Sequence, residues 1–294
     1  MARSRITDEV LLAHVNRLGE DHPPIPMESV DFTVLDPNLL RTRFAGVLDY
    51  LARVELEVER NVLELITLMP NPSEADRAFY ADVWMDQEIR HGEILDELKR
   101  RVELPDTQTS LGVGFAVKAL GAMAQFEPVQ DVARTIYYFT GASTERQAVL
   151  AYNALSSQLG EMGEKAVQHT IINQIRRQEP GHFAFYRMSA EKILTDGTLK
   201  PWQLYLARVL RKTSYEMVGV NNNPAYSAQM GEVMVELGFD HDLEQFAKEI
   251  GRLEAHLLWA QHQGMDFPPY VLAAMRDSIA LYRERGSFLS NLSA

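Results

Sequence analysis

The sequence predicts an all-α protein built around a four-helix bundle, with further helices on its N-terminal and C-terminal sides. Three observations predict it. Apolar residues recur at helical spacing along almost the whole chain, and strand-like alternation is nearly absent. Four periodic stretches are long, and short turns join them in two pairs with one long crossover between the pairs. The 294 residues are 46% hydrophobic, enough for a sizeable core within a single helical domain over 1–294.

A short helix is expected over 7–17, followed by the extended, proline-rich arm GEDHPPIPMESVDFTVLDP. The first long helix is expected from about 38 to 69, where PNPSEAD stops it. The second runs from about 73 to 102, with Ser73 as N-cap and Asp76 beside it. PDTQTSLGVGFAVKALGAMAQFEP is small and apolar at its centre and reads as a short buried helix or a flap packed on the bundle. The third long helix covers about 128–158, LGEMGEK makes the turn, and the fourth covers about 161–196. The metal-binding bundle would thus span about 38–196. A C-terminal extension over about 197–294 follows, with helices near 202–219, 224–237, 242–263 and 269–285. No repeat, low-complexity tract or linker interrupts the chain.

Composition excludes several classes of function. Without cysteine there is no disulfide, zinc–thiolate site, iron–sulfur cluster or thiol nucleophile, so any metal must be held by Asp, Glu and His. A net charge of −12 argues against nucleic acid as the main partner. No apolar run is long enough for a membrane span, and MARSRITDEVLLAHV lacks the apolar core of a signal peptide, so a cytoplasmic location is expected.

Glu-x-x-His occurs twice, as Glu88 with His91 and as Glu179 with His182. Three-residue spacing puts both side chains on one helix face, where they can share an ion. Two such pairs arise easily by chance; their placement says more. Glu88 and His91 fall in the apolar stripe of Tyr80, Trp84, Leu95 and Leu98, and Glu179 and His182 continue the stripe of Ile171, Ile172, Ile175 and Tyr186. Charge on a buried face is costly unless it is paired or metal-bound. A dinuclear carboxylate site needs one more Glu from each of the other two helices. The third helix offers Glu145, the only acid between Asp131 and Glu161. In the first, Glu57 points away from the stripe of Leu51, Val58, Val62 and Leu65, whereas Glu55 and Glu59 both remain candidates.

This pattern resembles the ferritin-like di-iron carboxylate superfamily. Within it, QEIRHGEIL and TERQA are similar to segments of soluble acyl-carrier-protein desaturases, where a Glu-Asn-Arg-His-Gly run and a Gln-Glu-Arg-Ala run supply ligands. The likeness covers roughly residues 40–195. It implies iron ligands Glu88, His91, Glu145, Glu179 and His182. An ungapped desaturase-like alignment favours Glu59 as the sixth ligand, and the spacing in shorter ferritin-like bundles favours Glu55. It further implies two iron ions (or a manganese–iron pair), O2 as co-substrate and an external electron donor delivered by a redox partner protein. The substrate would be a small-molecule or carrier-bound organic compound; a homodimer is one possible assembly, and the sequence does not fix the oligomeric state. The expected activity is that of a non-haem di-iron oxidase, oxygenase or desaturase. A non-catalytic helical binding protein and an Fe(II)-oxidising storage protein are the alternatives. Methionine and aromatic residues on the later helices suit an apolar substrate, and core packing explains them equally well.

One feature departs from the family pattern. Pro180 and Gly181 lie between Glu179 and His182. Either the fourth helix ends near Gln178 and another begins, or one helix continues through a kink with both ligands on the same face. Tyr152 and Tyr186 lie within two turns of the proposed ligands and read as core tyrosines. His241, His256 and His262 fall outside the bundle.

Overall fold

A computed structural model describes residues 6–109, 112, 118 and 121–292. Among these residues the chain is helical, without a strand, as the periodicity predicts. The centre of the crossover segment expected to form a short helix or flap, residues 110–120, lies outside the described residues except at 112 and 118, and residues 121–123 are helical.

Helix α1 (Asp8–Asp21) is capped by Thr7, whose side chain accepts from Val10 N. The first bundle helix is interrupted. Its first part, α2 (Pro37–Leu56), has Asp36 as N-cap and proline in the first turn, and α3 (Val58–Leu68) begins after a break at Glu57, where ψ is 2°. The periodicity predicts a single helix over 38–69, so this is a departure. The break coincides with a buried ion cluster in which Glu57 meets Arg53 at 3.2 Å and Arg60 at 3.0 Å. Glu57 does leave the bundle core as predicted, yet it is only 1% exposed, because the segment around Asn221 covers that face and Asn221 donates to it.

The second bundle helix consists of α4 (Glu74–Ala78), a π-helical turn (Phe79–Trp84) and α5 (Met85–Arg101). Ser73 and Asp76 make the reciprocal cap that the sequence suggests. The third is α6 (Glu127–Met162), closed by Gly163 at φ 82°, a left-handed position that only glycine takes without strain. The fourth contains a second π-helical turn (Val167–Ile172) and α7 (Asn173–Thr195). The extension adds α8 (Pro201–Ser214), α9 (Pro224–Glu236), α10 (Leu243–Leu257), α11 (Pro269–Arg285) and the short α12 (Phe288–Leu292). Helix α8 stops short of 219 because the chain becomes extended at Tyr215 and then enters left-handed positions at Gly219, Asn221 and Asn222.

α2 packs along α5 and α6 along α7, while α3 touches both α5 and α6. α1 crosses α4 and α7, α9 pairs with α11 against α2, and α10 lies on α6 and α7. The arm between α1 and α2 runs back over the bundle. Its Leu35 and Asp36 amides donate to the Glu164 carboxylate at 2.9 and 2.8 Å, and the Asp31 amide donates to Thr170 Oγ1 at 3.0 Å.

The core divides into two apolar clusters, and the division locates the site. Along the first helix, Leu51 belongs to one cluster and Val58 to the other. The change falls between Trp84 and Ile94 on the second, between Ala142 and Ala151 on the third, and between Ile175 and Phe185 on the fourth. Each interval contains Glu or Glu-x-x-His. A belt of buried polar side chains therefore crosses all four helices at one level, where burial without partners or a cation would be unfavourable.

Candidate metal centre

Six side chains converge on this belt. In one group, Glu55, Glu88, His91 and Glu179, the facing nitrogen and oxygen atoms lie within 4.8 Å of one another, and those of a second, Glu88, Glu145, Glu179 and His182, lie equally close. Both imidazoles are fully buried, and the four carboxylates are between 1% and 6% exposed.

The distances show how the groups are joined. His91 Nδ1 lies 3.4 Å from Glu88 Oε2 and 3.3 Å from Glu179 Oε1. His182 Nδ1 lies 3.0 Å from Glu88 Oε1 and 3.6 Å from Glu179 Oε2. Glu88 and Glu179 thus turn one oxygen to each histidine and would bridge two ions held there. Glu55 approaches only His91, at 3.8 Å, and Glu145 only His182, at 3.6 Å, so these two are terminal. The ring centroids are 6.5 Å apart.

The cluster fits a pair of cations on three grounds. His91 Nδ1, His182 Nδ1 and Glu179 Oε1 are buried and lack a hydrogen-bond partner. Buried polar atoms are nearly always paired, so three orphans facing one small volume mark a place for a ligand. Donor atoms less than 5 Å apart suit an ion about 2 Å from each. Four carboxylates, finally, balance the charge of two divalent cations.

Electrostatics point the same way. Burial, reinforced by the neighbouring Glu88 charge, pushes Glu55 well above the ordinary carboxylate range. Burial likewise raises Glu145 to about 8. Glu88 and Glu179 are drawn downward against their burial, Glu88 by the neighbouring Glu55 carboxyl and His182 imidazole, and Glu179 by the His182 and His91 imidazoles beside it. Both histidines are held above their ordinary value because the surrounding carboxylates outweigh burial. Four close carboxylates cannot all ionise in a dry interior, so without cations the cluster keeps protons that cations would replace.

The structure separates the two first-helix candidates. Glu55 joins the cluster, and Tyr152 donates a hydrogen bond to its Oε1. Glu59 is exposed and lies in neither group, so the expectation of Glu59 as a ligand is corrected. The reason is the interruption at Glu57: Glu59 belongs to α3, whose register is no longer that of α2. Glu55→Gln is expected to remove one of two bound metal ions, while Glu59→Gln leaves metal content unchanged. Elemental analysis of the two variants after identical metal loading decides, and equal losses would refute the assignment.

Pro180 and Gly181 do not end the fourth helix. α7 is continuous from Asn173 to Thr195, which overturns the two-helix alternative and leaves Glu179 and His182 on one face. Pro180 sits on the exposed side, so the donor it lacks is lost where water can compensate. Gly181 has a packing reason: a Cβ there would collide with Leu18 of α1. Its carbonyl also accepts a hydrogen bond from His14 Nε2 at 3.0 Å. The pair therefore serves the docking of α1 on the outer face of the helix that carries Glu179 and His182. Each Glu-x-x-His lies downstream of a π-helical turn, Phe79–Trp84 in one case and Val167–Ile172 in the other. Such turns insert a residue and re-aim the side chains on the next turns of the helix.

Sequence reasoning missed Gln87 and Gln178. Each precedes the Glu of its motif, so the repeated signature is Gln-Glu-x-x-His, and that doubling was available to find them. Trp84 lies on the buried stripe predicted for it, and its indole donates to Glu145 Oε1 at 3.3 Å. His241, His256 and His262 lie outside the bundle, as expected, and all three are exposed.

A cavity of about 490 Å³ opens from the cluster, with Glu55, Glu88, Glu145 and Glu179 in its wall. Leu51, Ala148, Ala151, Met230, Met234 and Phe246 make one side apolar. Arg60, Glu64, Asn221 and Asn222 line a polar part. Residues of α9 and α10 close it, so the C-terminal extension completes the chamber. No helix among the described residues is long and apolar enough to cross a membrane. Comparison with protein-family models, with curated proteins and with solved structures finds no match for this chain.

Proposed function

We propose that the chain is a ferritin-like, non-haem di-iron oxidoreductase that uses O2 to oxidise an organic substrate held in the cavity beside the cluster. The observation that carries this reading is the convergence of four carboxylates and two imidazoles, with unpaired Nδ1 atoms, on the wall of a ligand-sized apolar cavity. Glu55, Glu88, His91 and Glu179 would hold one iron; Glu88, Glu145, Glu179 and His182 would hold the other. When bound, the iron pair supplies O2 activation and oxidising equivalents, and carboxylate oxygens favour its oxidised state. An external electron donor closes the redox balance.

The remaining tasks fall to the protein. Glu88 and Glu179 set the spacing of the two positions through their divided oxygens. Tyr152 and Trp84 hold the terminal carboxylates Glu55 and Glu145 by hydrogen bonds. The apolar wall from Leu51 to Phe246 excludes water from the reacting volume, and Arg60 and Asn221 offer polar contacts away from it. The cavity favours this reading over a storage protein, which has no need of an enclosed organic-binding chamber.

The experiment is anaerobic reconstitution with Fe(II), metal counting, and an optical spectrum followed in time after O2 is added. Two irons per chain and a transient visible absorption are expected. A chain that retains no transition metal ends the proposal. Fe(II) oxidation continuing past two equivalents, with ferric product accumulating, assigns the protein to iron storage instead.

A further inference from the structure

The two histidines are held by a crossed pair of glutamines. His91 on α5 shares a hydrogen bond of 2.6 Å between its Nε2 and Gln178 Oε1 on α7. His182 on α7 makes the matching 2.6 Å bond through Nε2 to Gln87 Oε1 on α5. All four side chains are at most 4% exposed. The glutamines are fixed from behind. Gln87 Nε2 donates to the His22 carbonyl in the proline-rich arm, and Gln178 Nε2 donates to the Pro23 carbonyl at 2.9 Å.

This arrangement fixes the role of each atom. A backbone carbonyl can only accept, so each amide must turn its nitrogen to the arm and its oxygen to the imidazole. The amide oxygen can only accept in turn, so each histidine carries hydrogen on Nε2. When cations replace the shared protons, the lone pair is on Nδ1, the atom that faces the carboxylates and has no other partner. An amide also differs from a carboxylate in this role. It orients the ring without adding charge to a cluster that already contains four acids.

We propose that Gln87 and Gln178 are positioning residues of the two-metal centre, each aiming the histidine of the opposite helix, with the His22–Pro23 backbone locking both amides. The inference rests on the metal-binding part of the function proposed above. It separates cleanly from the substrate site, because neither glutamine nor either histidine lines the cavity.

The crossing supplies the test. Co(II) serves as a spectroscopic probe, titrated into full-length protein and followed by its visible bands. In a Glu145→Gln background only the position served by His91 remains complete, and in a Glu55→Gln background only the one served by His182. Gln87→Met, which keeps volume but removes the acceptor, is expected to weaken Co(II) binding about 10- to 100-fold in the Glu55→Gln background and to leave it unchanged in the Glu145→Gln background. Gln178→Met is expected to do the reverse. Gln87→Glu and Gln178→Glu, which restore an acceptor oxygen, are expected to return the affinity and the cobalt spectrum toward those of the parent background. A merely structural glutamine would weaken both positions alike or neither, and either pattern overturns the proposal. If the Met variants fail to fold, the Glu variants decide: loss of the parental cobalt spectrum in both would overturn it. Wild-type protein that binds no Co(II) at all would instead sink the metal-centre reading on which the proposal stands.

Discussion

Glu88→Gln is expected to take the metal content from two ions per chain toward none, whereas Glu145→Gln takes it to one. The difference comes from the oxygens. Glu88 turns Oε2 to His91 and Oε1 to His182, so neutralising it removes an anionic ligand from both positions and the bridge between them. Glu145 serves only the His182 position, and no neighbouring acid on α6 can replace it. Removing one partner from a buried ionic cluster typically costs about 3–5 kcal/mol, a factor of more than a hundred in affinity. Metal counting after anaerobic loading, combined with circular dichroism to show intact helices, reads the result. Equal metal content in Glu88→Gln and Glu145→Gln would contradict the division into bridging and terminal carboxylates.

Metal loading is also expected to raise the melting temperature, and more strongly at pH 8 than at pH 6. Free metal at about a thousand times its dissociation constant stabilises the fold by about 4 kcal/mol, on the order of 10 °C for a chain of this size. The pH dependence comes from the raised groups. Glu55 and Glu145 sit above their unfolded value of 4.5, Glu145 at about 8, and both histidines sit above 6.5. In the metal-free protein a group with a raised folded pKa contributes stability at low pH that is lost as pH rises through the folded value. All four groups therefore make the metal-free chain less stable between about pH 6 and 8. Glu88 and Glu179, shifted downward, act only below their unfolded value of 4.5 and do not offset this. Cations displace those protons, so the loaded protein should hold its melting temperature across the same range. Calorimetric scans at both pH values, with and without metal, check this. A metal-free melting temperature that rises between pH 6 and 8 would show that the cluster does not retain its protons.

Much of this was legible in the sequence because helical periodicity and i, i+3 spacing are local. The all-α class, the Ser73 cap and the later helices come from pattern and capping chemistry alone. So does the placement of Glu88, His91, Glu145, Glu179 and His182 on buried faces, since an acid within an apolar stripe must face the same way as that stripe. The tertiary structure decided the rest. Glu55 was separated from Glu59 by a break at Glu57, where Arg53, Arg60 and the distant Asn221 meet. Gly181 found its reason in Leu18, 163 positions away in the chain (181 − 18), and continuity through Pro180 prevailed because the proline faces outward. The paired glutamines are plain in the repeated Gln-Glu-x-x-His, yet each acts on the histidine of the other helix. Spacing along one helix tells which side chains share its face. It carries no information on the relative height of two helices, and that height, set by packing and by the arm that crosses them, determines which groups meet.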